Sequence, residues 1–423
     1  MKFSTVDAWL EWQAQLHTES IELGLDRIRC VFERLITSPI AKQVIVVAGT
    51  NGKGSTVSFL EAIYYAAGYR VGAYTSPHLQ KYNERIRVCG SNIDDQTLCD
   101  AFNAVENARE DVPLTYFEFG TLAAFHVFSI SSLDIAILEI GLGGRLDAVN
   151  LVDNNVAIIT NVQLDHQDWL GQTREEIGLE KIAVGRSEGD VIFAEETLPE
   201  NVKLYINNNG IKLHQIGKHF GFQSNGQSWL WWGETKKKPA LPNPSLLGDY
   251  QFVNASSAIM ATELLNDQLP VNQAHIRTGL TQGKLSGRFQ VTQLSTDRQN
   301  LIIMDVAHNP HAMRACVKQL SKLPQIGECL VVFAVLKDKA VNEMIDILKP
   351  YIKQWFIGSL NIDRAMSVGE LSKLLIAHGI STDNIIEKNS VESAFHAAES
   401  QLSQHDNILI TGSFYTVAAM LDN

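Results

Sequence analysis

The chain has 423 residues, a formal net charge of −12, and 45% apolar against 19% charged residues, the balance of an ordinary globular protein. That length exceeds one typical core and predicts two domains. The acidic balance argues against nucleic acid as the main partner and for a small-molecule substrate.

Five cysteines, Cys30, Cys89, Cys99, Cys316 and Cys329, are scattered and free of C-x-x-C spacing. They fit reduced thiols rather than a disulfide frame or a zinc site. The acids in Met1-Lys-Phe-Ser-Thr-Val-Asp-Ala-Trp-Leu-Glu-Trp12 interrupt any signal-peptide core, and no apolar run reaches about 18 residues. A soluble, cytoplasmic protein without a membrane span is expected.

In chain order, residues 5–36 read as helical, with Trp9, Trp12, Leu16, Ile21 and Leu25 recurring at helical intervals and a turn at Gly24-Leu-Asp-Arg-Ile28. Val44-Ile-Val-Val47 is a buried strand, followed by the turn Ala48-Gly-Thr-Asn-Gly-Lys-Gly-Ser55 and a helix from Ser55 to Ala67. Strand, glycine-rich loop, lysine, hydroxyl and helix is the order of a phosphate-binding loop. The amides of Gly49, Asn51, Gly52 and Gly54 can approach oxygen. Lys53 adds a full charge, the helix start a partial one, and the hydroxyl of Ser55 or Thr56 can bind Mg²⁺. The usual spacing G-x-x-x-x-G-K-[ST] is altered, because Gly54 separates Lys53 from Ser55.

Residues 68–74 form a strand, and the polar, proline-bearing run 75–86 is expected to be irregular, a lid over the phosphate site. Helices are expected at 94–109 and 115–130, and strands at 133–140 and 155–160. Polar loops at the carboxyl ends of these strands predict a doubly wound parallel sheet with its ligand there. Residues 190–252 read as an irregular stretch with an Asn225-Gly226 hairpin, and Lys236-Lys-Lys238 as its solvated tip. A helix follows at 254–265.

A boundary near Gly287-Arg-Phe-Gln290 divides domains 1–287 and 288–423. The second alternates strands at 301–306, 329–335, 354–358 and 407–411 with helices near 310–322, 341–350, 368–378 and 391–403. Polar strand ends in both domains predict a cleft site.

Three further positions bear on a triphosphate site. Glu139 ends an apolar strand, where a carboxylate is costly unless it binds metal or is paired, the alternative being a salt bridge with Arg145. Asp165-His166 lies at another strand end as a candidate ligand. Lys181, by spacing alone, is a surface lysine paired with Glu176 or Glu180.

Five motifs occur in register: Ala48-Gly-Thr-Asn-Gly-Lys-Gly-Ser55, Thr75-Ser-Pro-His-Leu79, Glu139-Ile-Gly-Leu-Gly-Gly-Arg-Leu-Asp-Ala148, Leu164-Asp-His-Gln-Asp-Trp-Leu-Gly171 and Asp305-Val-Ala-His-Asn-Pro-His311. With the Gly287-Arg-Phe289 junction they make the whole chain resemble the bacterial folylpolyglutamate synthase/dihydrofolate synthases, relatives of the Mur peptidoglycan ligases. The resemblance implies a two-domain Mur-ligase-like α/β fold. It has a P-loop sheet with a small β-rich subregion and a C-terminal Rossmann-like domain. The implied reaction uses ATP to activate a carboxylate as an acyl phosphate, which the amine of L-glutamate then displaces to form an amide.

Carried over by position, Gly49, Thr50, Asn51, Gly52, Lys53, Gly54, Ser55 and Thr56 hold the phosphates. Asn254, Arg288 and Asp305 approach the nucleotide. Ser76, Glu139 and His166, with Ser55, hold Mg²⁺, two ions being expected. Lys181 matches a lysine carbamylated in many members, and Asp305 and His308 lie at the active-site edge.

The segment Thr115-Tyr-Phe-Glu-Phe-Gly-Thr121 resembles that of bifunctional members, which add glutamate to dihydropteroate and to reduced folates. Thr115, Tyr116, Phe117 and Asp147 are the implied pterin side. Tyr116 and Phe117 either flank a pterin ring or belong to the core of their helix. A monomer is expected. The rivals are a folylpolyglutamate synthase alone, another Mur-type amino-acid ligase and a regulatory P-loop ATPase. A uridine-nucleotide Mur ligase would need an extra N-terminal domain ahead of the first strand. A switch would leave the Asp305 motif unexplained.

Overall fold

The computed structural model describes residues 2–17, 22–295, 298–323, 329–404 and 406–421. The chain separates into two compact units, Met1–Ser245 with Gln251–Lys284 and Leu246–Tyr250 with Leu285–Asn423. The five-residue excursion of Leu246–Tyr250 into the second unit carries no composition signal; Asp249 is held there by Lys318 and Lys322.

Unit 1 is organised on an eight-stranded sheet of β1 (Gln43–Ala48), β2 (Val71–Tyr74), β3 (Ile86–Val88), β4 (Ser91–Asn92), β5 (Ile135–Glu139), β6 (Val156–Ile159), β7 (Asp190–Phe193) and β8 (Lys212–Gln215). Their order is β4-β3-β2-β5-β1-β6-β7-β8. From β2 to β8 every neighbouring pair is parallel, so the six strands end on one edge. Strands buried on both faces need uninterrupted apolar runs, and Val44 to Ala48 and Ile135 to Leu138 supply them. The helices Lys53–Ala66 and Tyr116–Ile130 are apolar around most of their circumference and correspondingly buried. β1 sits between β5 and β6, where successive connections leave in opposite directions, the place at which such sheets bind ligands.

Three readings are corrected in this unit. The N-terminal region is two short helices, Val6–Gln13 and Asp26–Leu35, rather than one interrupted helix; Ile21 lies outside the described residues. The 75–86 run is irregular as far as Lys81, as expected, and Arg85 on His78 and Arg87 on Thr75 help to fix it. Glu84 accepts from the amides of Leu79, Gln80 and Lys81, so a 3₁₀ turn forms at Tyr82–Arg85 before β3. The supposed irregular stretch from 190 begins by extending the parallel sheet, through β7, the helix Glu200–Asn208 and β8. Only then comes a three-stranded antiparallel sheet, β9 (Phe220–Ser224), β10 (Trp229–Gly233) and β11 (Lys237–Leu241). The β9–β10 hairpin does turn at Asn225-Gly226, with Gly226 at φ +89°. Lys236 and Lys238 are not simply solvated; both pair with Glu263, at 2.9 and 2.7 Å.

Unit 2 is a six-stranded sheet of β12 (Gln290–Ser295), β13 (Arg298–Met304), β14 (Cys329–Phe333), β15 (Ile352–Gly358), β16 (Ile385–Lys388) and β17 (Asn407–Thr411). The order is β12-β13-β17-β14-β15-β16, antiparallel only at β12–β13. The helices Pro310–Leu320, Val341–Leu348, Val368–Ala377 and Val391–Ser400 fall where the periodicity puts them. The two edge strands β12 and β16 had no reading, because short half-exposed strands lack an apolar run, and the last helix, Phe414–Leu421, had none either. No helix among the described residues is long and apolar enough to cross a membrane.

Candidate active site

Four adjacent parallel strands of unit 1 deliver polar groups to one edge. Ser76 follows β2, Glu139 ends β5, the loop 49–55 follows β1, and Asp165-His166 follows β6. The loop is shaped by its glycines. Gly52 lies at φ +87°, and a Cβ there would stand 2.6 Å from Asn254 Oδ1. This places Asn254 against the loop, where its amide donates to Gln251 Oε1 at 2.9 Å while Gln251 donates to Ser55 Oγ at 3.3 Å. Gln251, wholly buried, therefore links two residues the sequence singled out separately. Lys53 Nζ lies over the loop, donating to the carbonyls of Gly49 and Thr50. Thr56 Oγ1 donates to Gly52 O, and Ser55 is buried at the helix start.

One donor assignment changes. The amide of Asn51, read as a phosphate donor, is occupied by Asn161 Oδ1 at 2.9 Å.

Glu139 is 4% exposed and accepts from the Ser76 amide at 3.3 Å. The Arg145 alternative fails, because Arg145 pairs with Glu180 at 2.9 Å. His166 occupies a left-handed conformation, φ +52°, with its amide on Asp165 Oδ1. The described residues hold no group of three or more His, Cys, Asp and Glu side chains arranged for a metal.

Lys181 is not on the surface. It is 3% exposed, in the last turn of Arg174–Ile182, and neither glutamate is its partner in the expected sense. Glu176 caps its own helix through the Thr173 amide, and Glu180 is taken by Arg145. Burial pushes its ammonium down to about 7, and Lys53 nearby acts in the same direction; Asp165, Asp147 and Glu180 oppose. Asp147 is also buried. Loss of solvent raises its carboxyl to about 7, against hydrogen bonds from the amides of Leu142 and Val149. These couplings draw Lys53, Lys181, Asp147 and Asp165 into one electrostatic group.

On the pterin side, Thr115 is the N-cap of Tyr116–Ile130, reciprocally bonded with Glu118, which Arg27 holds. Tyr116 and Phe117 are both half-buried. Phe117 stacks on Tyr74 at 6.2 Å and covers Gly141, where a Cβ would meet its ring at 2.4 Å. Tyr116 meets the Tyr82 ring edge-on at 5.8 Å, with the Arg85 guanidinium near both.

In unit 2, Asp305 accepts from the amides of Phe289 and Ala307, both at 2.8 Å. Burial raises its carboxyl, and Arg288 opposes the shift. His308 Nδ1 donates to Val306 O at 2.9 Å, which in the neutral ring leaves the lone pair on Nε2. Arg288 lies over the Phe414 ring at 4.9 Å.

Sequence reasoning missed Thr160, Asn161, Gln163 and Gln251. The first three are visible only as the point where a β-branched strand turns polar.

The sequence matches the Mur ligase middle domain over residues 47–262 and the Mur ligase glutamate ligase domain over 287–414. The P-loop sheet and the second α/β unit are thus those of a Mur ligase. The chain is 38% identical to the dihydrofolate synthase/folylpolyglutamate synthase of Escherichia coli, over 99% of this chain and 95% of that protein. An E. coli FolC structure in complex with DHPP and ADP superposes with a TM-score of 0.92 at 37% identity, covering 99% of this chain and 97% of the other. A bifunctional folylpolyglutamate synthase/dihydrofolate synthase with Mn, AMPPNP and L-glutamate bound gives 0.90 at 38% identity, with 99% and 98% coverage. The chain belongs to the dihydrofolate synthase/folylpolyglutamate synthase family of Mur ligases.

Proposed function

We propose that this protein is an ATP-dependent ligase that adds L-glutamate to dihydropteroate, giving dihydrofolate, and further glutamates to reduced folates. The observation that carries the reading is the full-length match to both Mur ligase domains, the glutamate ligase domain included, in a chain whose relatives bind nucleotide, DHPP and L-glutamate. A regulatory P-loop ATPase would have no use for that second domain. The domain assignment follows: nucleotide activation belongs to residues 1–287 and glutamate addition to 288–423.

In this mechanism Lys53 and the amides of the loop 49–55 orient the phosphates and neutralise the charge that grows as the substrate carboxylate attacks the γ-phosphorus. A divalent cation fits here. Glu139 is a buried carboxylate at a strand end and Ser55 a buried hydroxyl, oxygen ligands of the kind that suit Mg²⁺, which keeps phosphate and water oxygens in its shell. Glu139, Ser76, Ser55 and His166 would hold it, and when bound it supplies charge neutralisation on the transferred phosphoryl group. Lys181, with an ammonium brought down to about 7, has a large neutral fraction to react with carbon dioxide. The resulting carbamate would serve a second Mg²⁺.

Phe117 and Tyr116 supply ring faces for the pterin, and Asp147 a buried carboxyl for its polar edge. His308, through Nε2, is the group to accept the proton of the glutamate amine. Asp305, both of whose oxygens are held by main-chain amides, acts by fixing the turn that presents Arg288 and His308. The protein acts in the cytoplasm as a monomer.

The test is ATP-dependent phosphate release by the purified protein with Mg²⁺ and L-glutamate, comparing 7,8-dihydropteroate with tetrahydrofolate. Release with both, and a product heavier by one glutamyl residue, establishes the bifunctional ligase. Release with tetrahydrofolate alone makes it a folylpolyglutamate synthase only. Release with neither refutes the reading.

A further inference from the structure

The parallel ladder between β1 and β6 runs to the pair Ala48 and Ile159, and its last rung is the Thr160 amide on Ala48 O. Beyond that point the two chains separate, yet the bonding between them continues. Thr50 N–H donates to Asn161 O at 3.0 Å. Asn51 N–H donates to Asn161 Oδ1, and Asn161 Nδ2 donates to Asn51 O, both at 2.9 Å. Thr160 Oγ1 donates to the same carbonyl at 2.6 Å. Thr50 Oγ1 donates to Gln163 O and accepts from Gln163 N–H. The Asn161 amide thus stands in for a further strand residue, offering one acceptor and one donor where the ladder has run out.

We propose that Asn161, seconded by Thr160, is a positioning residue for phosphate binding: it holds the Asn51 backbone so that the Gly52 amide faces the phosphates. The inference rests on the nucleotide reading above. Its physical basis is the planarity of the peptide bond. In a trans peptide the C=O and the following N–H point in opposite directions. Two donors from the β6 end pin Asn51 O toward β6, so the N–H of Gly52 must aim away from β6. Gly52 adopts φ +87° to allow it. Gly49 completes the fit, since a Cβ there would stand 1.8 Å from Thr160 Oγ1. Asn51 is thereby a held residue and not a phosphate donor. The segment 160–163 also continues directly into Asp165-His166, so one short stretch sets both the loop and the histidine.

The experiment is calorimetric binding of AMPPNP with Mg²⁺ to the full-length protein and to N161A, T160V and T160S, alongside the KM for L-glutamate. N161A is expected to weaken AMPPNP by roughly tenfold or more, since both hydrogen bonds that hold the Asn51 backbone from the Asn161 side chain are lost, with the KM for L-glutamate unchanged. T160V, which removes only the hydroxyl, weakens binding less, and T160S restores it. Binding by N161A within about twofold of the unaltered protein, well under one hydrogen bond's effect, would overturn the inference. Should N161A fail to fold, the threonine pair decides: T160V equal to T160S overturns it, and a deficit in T160V alone supports it. If the unaltered protein binds no AMPPNP, the nucleotide reading falls, and this inference with it.

Discussion

Replacing Lys181 by methionine separates what this residue costs the fold from what it does for the reaction. Methionine keeps the length and apolar stem and removes the charge. A lysine whose ammonium stands at about 7 in the fold, against 10.5 ordinarily, binds fewer protons folded than unfolded. Its effect is therefore destabilising. The cost is full below about 7, declines as pH rises from there toward 10.5, and vanishes above. At 1.36 kcal/mol per pH unit the full cost is about 5 kcal/mol, falling to about 2 kcal/mol by pH 9.

In carbon-dioxide-free buffer, K181M is expected to unfold at higher urea than the unaltered protein at pH 6.5, with most of that advantage gone by pH 9. Tryptophan fluorescence reports mainly unit 1, because Trp355 alone of the seven tryptophans lies in unit 2. Phosphate release by K181M should be lost at both pH values. The same displacement makes about half of Lys181 neutral at pH 7, against about one part in three thousand for an ordinary lysine. A stability difference that does not change with pH, or a K181M protein less stable at pH 6.5, would refute the reasoning.

Lys53→Ala should abolish phosphate release with either pterin substrate, as read by a coupled phosphate assay; retained turnover would remove Lys53 from the phosphate site. Glu139→Gln and His166→Ala should shift the Mg²⁺ titration of activity to much higher concentration, and an unchanged titration would take either out of the metal shell. Gly52→Ala places a Cβ against Asn254 at a left-handed backbone position, so about 1–2 kcal/mol of local strain and weaker AMPPNP binding are expected. Phe117→Ala uncovers Gly141 and should impair dihydropteroate use more than tetrahydrofolate use in steady-state kinetics; equal losses would mean that the ring only packs.

Much of this protein is legible in its sequence. Val44-Ile-Val-Val47 into Gly49 and Lys53 is strand, turn and helix by local chemistry alone, because β-branched runs, glycines and hydroxyls each act over a few residues. Glu139 announced itself as an acid at the end of an apolar strand. The segments that went unread, β8, β12 and β16, are short and partly exposed, so no apolar period marks them.

Tertiary structure decided the rest. Lys181 has glutamates one and five positions before it on a charged helix and reads as a surface residue, yet packing buries it and sends Glu180 to Arg145, 35 positions away in sequence. Asn161 is marked in the sequence only as the point where an apolar strand turns polar. Its importance comes from strand order, since only the placing of β6 beside β1 brings its amide to Asn51, 110 positions away. Hydrogen bonding and desolvation depend on which chains become neighbours, and spacing along one chain does not determine that.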